Sequence, residues 1–375
     1  MKQYLLDNIQ NIFGWRTPEK LVVLAFDDYG NVRQDSIASK QRMIDAGLDM
    51  SNRFDGFDSL ENRQDLEALF DVLSSVSDAR GGPAVLTPYT LCANLDFDAI
   101  DVNSTAYQYE PLPRTFARLE DAHGPAYRGA WNLWQEGIRL GLLKPQFHGR
   151  EHLNIELLER KLNSGDSTLK VNIENRSLTA LGGEPSAPGV GFTQAFAFWD
   201  TSVLDRHKAI LADGLDLFER TFGFPSKTFT PPAQQLHPEL YSFVEKLGVR
   251  AIDKPFYCVR RLNRNESRRE FNVLGPCAGH DHVSVVRNVV FEPTEYRNVD
   301  SVGRAFDQVS AAFRWRRPAI VSSHRVNFSG HIDPDNREFG LAALKRFLGG
   351  IVKRWPDVQF ISADALLEKI EATTR

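Results

Sequence analysis

The chain has 375 residues, 25% of them charged and 42% hydrophobic, with a formal net charge of −4. That length can bury a large core, and that charge gives neither the basic footprint of a nucleic-acid binder nor a polybasic membrane patch. Cys92, Cys258 and Cys277 are odd in number and far apart, with no C-x-x-C spacing, which suits reduced thiols better than a disulfide framework.

The N-terminal MKQYLLDNIQNIFGW lacks the unbroken apolar run and small-residue cleavage site of a secretory signal. No stretch approaches the roughly 20 apolar residues of a membrane span. The expectation is a cytoplasmic protein with no integral membrane segment. Residues 1–18 read as a short amphipathic helix whose apolar residues Tyr4, Leu5, Ile9, Ile12 and Phe13 pack on the body. Leu21–Phe26 then forms a continuous apolar run, as in a strand buried on both faces, and leads into Asp27, Asp28 and, after Tyr29, Gly30. α/β folds place ligands and catalytic groups at such strand ends. Adjacent strand residues point to opposite faces, so one aspartate could hold a metal and the other handle a proton. Asp and Gly are also ordinary turn residues, and this segment alone leaves both readings open.

A helix is expected near 61–75 and a second buried strand over 84–94. Residues 96–128 read as irregular, and 131–143 as a helix. The chain then enters His148-Gly149-Arg150-Glu151-His152 and a helical 155–162. Residues 163–200 look like an excursion over the surface, followed by a helix at 205–222 and a short strand at 228–230 that turns at Pro231-Pro232. A helix over 238–247 and a strand over 249–252 precede an Arg-rich stretch, 257–283. Helix 299–313, strand 319–321 ending at His324-Arg325, helix 339–355, strand 358–361 and helix 363–372 complete the chain. There is no internal repeat and no low-complexity tract. Alternation of strands and helices argues for parallel α/β architecture. Some seven βα units suit a closed or distorted (β/α) barrel of seven or eight strands better than an open sheet. The whole chain, 1–375, reads as one such domain, with an extension at 1–18 and insertions at about 96–128, 163–200 and 257–283.

His148 and His152, spaced i, i+4, would share one face of a helical turn and can bind one ion. Paired histidines are also common without a metal. Two imidazoles and a carboxylate leave open positions, the pattern of a catalytic rather than a structural site. His324 falls directly after a strand, at the end of the sheet expected for Asp27 and Asp28, where it can act as acid or base or simply be satisfied by backbone. His280-Asp281-His282 reads as a solvated or substrate-facing turn. His123, His207, His237 and His331 fall in expected loops and helices. Tyr107, Tyr109, Trp131, Trp134 and Trp199 are candidates for stacking on sugars, although most aromatics simply pack.

Asp27-Asp28 after a buried strand, H-x-x-x-H downstream, a Pro-Pro turn and a strand-end His occur in the order seen in polysaccharide deacetylases of the NodB-homology type, carbohydrate esterase family four, which this chain resembles over about residues 20–370. The closing VQFISADALLEKI is similar to the strand and helix that end such domains. The resemblance implies a distorted barrel and one divalent metal ion, zinc first with cobalt, nickel or manganese as alternatives, held by Asp28, His148 and His152. It implies Asp27 as the base, His324 as the acid, and a backbone N–H near Tyr29 for the oxyanion. The substrate would be an acetylated carbohydrate, and the reaction removal of an N-acetyl or O-acetyl group. Tyr29, Pro231, Pro232, Arg150, Arg287 and Arg325 are the expected substrate contacts.

The chain departs from the family pattern at Ala25, where Thr is usual, and at Tyr29, inserted before Gly30. It also departs at Thr230, where an Arg normally pairs with the catalytic Asp, and it has no good match to the family's Asp-Trp motif. Arg150, Arg325 and Arg287 are the candidates to replace the missing cation. A metal-binding barrel that only binds glycans or acts as a scaffold, and a hydrolase for a glycosidic or small-molecule amide bond, remain as alternative readings.

Overall fold

In a computed structural model the described residues are 2–100, 107–295 and 299–374. The main sheet has ten strands: β1 (Lys20–Tyr29), β2 (Leu86–Leu91), β3 (Gln146–Gly149), β4 (Thr228–Phe229), β5 (Ala251–Asp253), β6 (Gly275–Pro276), β7 (Val283–Val285), β8 (Val289–Val290), β9 (Ala319–His324) and β10 (Val358–Phe360). Its order is β6-β7-β5-β4-β3-β2-β1-β9-β8, with β10 paired to the first residues of β1. Every ladder is parallel except β6 with β7. The fold is therefore mixed α/β with a curled parallel sheet. No ladder joins β7 to β8 among the described residues; the chain crosses that seam directly, through Val286-Arg287-Asn288.

β1 is the hub. From Leu21 to Tyr29 every residue is buried, which explains its unbroken apolar run: a strand covered on both faces needs no alternation. Val22, Leu24 and Phe26 face one apolar cluster; Leu21, Val23 and Ala25 face another. Helices Arg63–Ser74, Ala130–Arg139, Leu204–Phe222, Ser301–Arg314 and Pro334–Arg354 cover the sheet with buried apolar stripes. Asn62 starts the first of these with a capping box, its side chain accepting from Asp65 N while the Asp65 carboxylate accepts from Asn62 N.

Several expectations are corrected. Helix Lys2–Ile9 and the turn after it keep Asp7 and Asn11 buried and leave Tyr4, Leu5, Ile9 and Phe13 exposed. Its apolar face is therefore not the packed one; Asn11 bonds Asn288, and Arg317 donates to backbone carbonyls of this segment. The stretch 96–128 is largely ordered into strand Tyr109–Pro111 and helix Leu112–His123, while residues 101–106 of it lie outside the described residues. The Arg-rich insertion shrinks to the hairpin Tyr257–Arg261/Ser267–Phe271, because β6 and β7 belong to the main sheet. No helix among the described residues is long and apolar enough to cross a membrane.

Candidate active site

Two irregularities in the sheet build the site. Phe26 pairs with Pro88 but Tyr29 pairs with Thr90, so β1 carries one extra residue at 27–28. Asp28 takes φ +72° there. Likewise Thr90 pairs with Phe147 and Leu91 with Gly149, which makes His148 the extra residue of β3. A bulge breaks strand alternation and re-aims side chains. Asp27 and Asp28, expected on opposite faces, therefore line the same cavity, together with His148, His152 and His324. Its volume is about 510 Å³. The two histidines share no helical turn: His148 lies on β3, and His152 in the bend before helix Ile155–Ser164.

Asp28 Oδ1 lies 3.3 Å from His148 Nε2 and 3.1 Å from His152 Nε2. His148 Nδ1 lies 2.7 Å from the Thr230 carbonyl. A carbonyl only accepts, so Nδ1–H donates to it, which leaves Nε2 as the atom that faces the Asp28 carboxylate. A backbone carbonyl orienting the imidazole is the usual support of a histidine ligand. The three donor atoms lie within 4.8 Å of one another, and this donor set fits a divalent ion of the zinc class with coordination positions left open. Burial works against the Asp28 charge, but the flanking histidines hold its carboxyl well below the usual range.

Asp27 sits in a fork. Its two oxygens take Arg287 Nη1 at 2.7 Å and Nη2 at 2.8 Å. Nη2 also donates to Thr230 Oγ1 at 2.8 Å, and Nε lies 3.0 Å from Asp253 Oδ2. Burial raises the Asp27 pKa, and Arg287 with His148 and His324 outweighs it, leaving the group below its ordinary value. Of the three arginines considered for the missing cation, Arg287 makes this contact, reaching in from the β7–β8 seam. Arg325 is buried elsewhere, against Asp58 and Glu61. Arg150 pairs with Glu151 and Asp213.

β1 and β9 run side by side with Asp27 in register with His324. His324 Nδ1 lies 2.6 Å from Glu292 Oε1, so Nδ1–H donates and Nε2 is left for the cavity. Glu292 Oε2 accepts from Asn327 Nδ2 at 2.7 Å and pairs with Arg53. The edge of Phe54 meets the imidazole ring at 5.4 Å. Burial alone would lower the His324 pKa; Glu292, then Asp28 and Asp27, raise it to about 9. The site thus holds an ionised carboxylate and a protonated imidazole on neighbouring strand ends, an acid–base pair at neutral pH.

Pro231 and Arg287 line the cavity, whereas Pro232, Arg150, Arg325 and Tyr29 do not. The Tyr29 ring is buried edge-on against Trp134 because β1 resumes its alternation after the bulge. None of the five proposed stacking aromatics lines the cavity either; Trp134 is a core residue donating to Glu61, and Tyr107 and Tyr109 are tied to Glu151 and Asp213. The sequence reading also missed Glu292, Asp253 and Phe54. Glu292 had a signal: it is a carboxylate two residues beyond a Val-Val pair. His282 is buried rather than solvated. It meets Lys254 Nζ through Nε2 at 2.8 Å and Glu245 through Nδ1 at 2.5 Å. The ammonium occupies one nitrogen, so the other keeps its proton for Glu245. His280, His282 and Glu245 converge, but this pairing competes with a metal.

No family model matches the sequence, and no curated protein matches it. Several solved structures similar to the chain are polysaccharide deacetylases or carbohydrate esterases. A protein from Mycobacterium smegmatis assigned as a polysaccharide deacetylase is 10% identical with TM-score 0.48, over 96% of this chain and 93% of that one. A family 4 carbohydrate esterase from Streptomyces lividans is 11% identical with TM-score 0.34, over 90% of each. A 4-alpha-glucanotransferase from Thermococcus litoralis is 8% identical with TM-score 0.47; it matches 94% of this chain, which spans 40% of its length. Neighbours this distant and this different in chemistry leave the reaction to be read from the site.

Proposed function

We propose that this protein is a metal-dependent hydrolase that removes an acetyl group, N-linked in preference to O-linked, from a sugar or a surface-polysaccharide intermediate. The observation that carries the reading is the convergence of His148 and His152 on one Asp28 oxygen, with the His148 proton already committed to Thr230. Asp28, His148 and His152 would hold the ion, zinc before cobalt, nickel or manganese, which when bound supplies Lewis acidity to the acyl carbonyl and to water. Asp27, oriented by Arg287, takes the proton of the attacking water. His324, oriented by Glu292, gives a proton to the leaving nitrogen or oxygen. Pro231 shapes the cavity wall. Arg287 restores to Asp27 the cation that Thr230 took away, which weakens the case for a binding-only barrel.

The same reading takes the chain as one catalytic (β/α) barrel unit of the NodB type, with extension 1–18 and its insertions. It is tested by acetate release from N-acetylated and O-acetylated sugars and oligosaccharides by the zinc-loaded protein, with Asp27→Asn and His324→Gln as controls. Release by the parent that both variants lose supports the proposal. Release of a sugar or of ammonia instead of acetate would replace it with a glycosidase or small-molecule amidase.

A further inference from the structure

In the hairpin Tyr257–Arg261/Ser267–Phe271, Tyr257 pairs with Phe271, Val259 with Arg269 and Arg261 with Ser267, so these side chains share one face. The other face is anchored. Arg260 is buried, bonds Glu270 at 2.5 Å, donates to the Leu236 carbonyl and lies over Tyr241. The first face is open, with Phe271 71% and Val259 57% exposed and Tyr257 45% exposed. The Tyr257 and Phe271 rings stand 4.9 Å apart. Phe256, which lines the catalytic cavity, meets Phe271 edge-on at 6.2 Å. Asn272 ties the hairpin to the rim by donating to the Pro255 and Phe256 carbonyls. The aromatic surface thus begins in the cavity wall and continues outward along the hairpin.

Resting on the hydrolase reading above, we infer that this face is a stacking platform for further rings of an oligosaccharide or polysaccharide whose acetylated residue sits in the cavity. Sugar rings offer flat C–H faces that pack on the negative faces of aromatic rings. The exposed Arg269 side chain sits beside them with donors for ring hydroxyls. The face spans only three cross-strand pairs, whereas a stable protein partner covers about 800 Å² per side. Its continuity with the cavity favours a chain threading out of it.

The test follows acetate release across chain length, with N-acetylglucosamine to its β-linked hexamer and O-acetylated xylose to its hexamer as probes. Wild type, Phe271→Ala, Tyr257→Ala and the conservative Phe271→Trp are compared, with light scattering on each. The expected result is a KM that falls with length, a rise of about tenfold in hexamer KM for each Ala variant, unchanged single-sugar kinetics and retention of the gain in Phe271→Trp. Release that ignores chain length, or a Phe271→Ala variant that loses self-association but keeps hexamer kinetics, overturns the platform and leaves the hydrolase standing. No release from either series overturns both.

Discussion

Replacing Glu292 by Gln removes one charge and almost no volume, and the amide oxygen can still accept from His324 Nδ1–H. The wild-type imidazole titrates at about 9 against an ordinary 6.5, a gap that survives a burial penalty of opposite sign. Each pH unit is worth 1.36 kcal/mol, so the gap amounts to about 3 kcal/mol favouring the imidazolium. Glu292 is the largest source of that preference, through both its charge and its hydrogen bond. The variant should therefore titrate near 7 or below, about two pH units lower than wild type. A metal on Asp28 would cancel part of that residue's contribution and make Glu292 weigh more. Because the folded pKa is raised, the His324 contribution to stability is complete below 6.5 and is lost as pH rises from 6.5 to 9. Wild type should lose about 3 kcal/mol over that interval, and the variant should lose little. Ring-proton NMR titration, with His324 assigned by its Gln variant, reads the midpoint, and urea unfolding at pH 6.5 and 9 reads the slope. A Glu292→Gln midpoint still close to 9 would refute the assignment of the shift to this pair.

Arg287→Lys keeps the charge but loses the fork that spans both Asp27 oxygens and Asp253; acetate release should fall about a hundredfold with thermal stability largely kept, and unchanged turnover would remove Arg287 as the orienting cation. Arg325→Ala leaves Asp58 and Glu61 buried without their cation, and denaturant unfolding should show a loss of about 3–5 kcal/mol. A loss under 1 kcal/mol would mean that these carboxylates are not charged in the fold. His207 is held at about 4 by burial, ahead of the repulsion from Arg206 and His237. Its folded pKa is depressed, so stability present above 6.5 is lost as pH falls towards 4. Wild type should lose about 2 kcal/mol more than His207→Gln between pH 7 and pH 5, and parallel urea curves would contradict this.

The sequence announced β1 because a strand buried on both faces writes itself as an unbroken apolar run. It announced His324 because that residue ends the next strand, and the register does set it beside Asp27. It did not announce how Asp28, His148 and His152 would come together. A bulge adds one residue to a ladder through pairing with a distant strand, so period-two reasoning separated Asp27 from Asp28, and an i, i+4 spacing suggested a helix at His148 where a bulged strand stands. Arg287 and Glu292 flank a strand of only two residues, Val289–Val290, too short to show any periodicity. Of the aromatic residues near the excursions, Trp134 went to the core as part of a buried helix stripe, and Tyr107 and Tyr109 went to hydrogen bonds with Glu151 and Asp213. The exposed rings lie instead on a hairpin read only as charged.

The ion site is the central claim. Protein purified without added metal is measured by elemental analysis beside His148→Ala and His152→Ala variants. About one equivalent of zinc or another divalent transition metal in the parent, lost in both variants while their folded spectra persist, is the predicted result. A parent that stays empty after reconstitution, or variants that bind as much metal as the parent, would contradict the account.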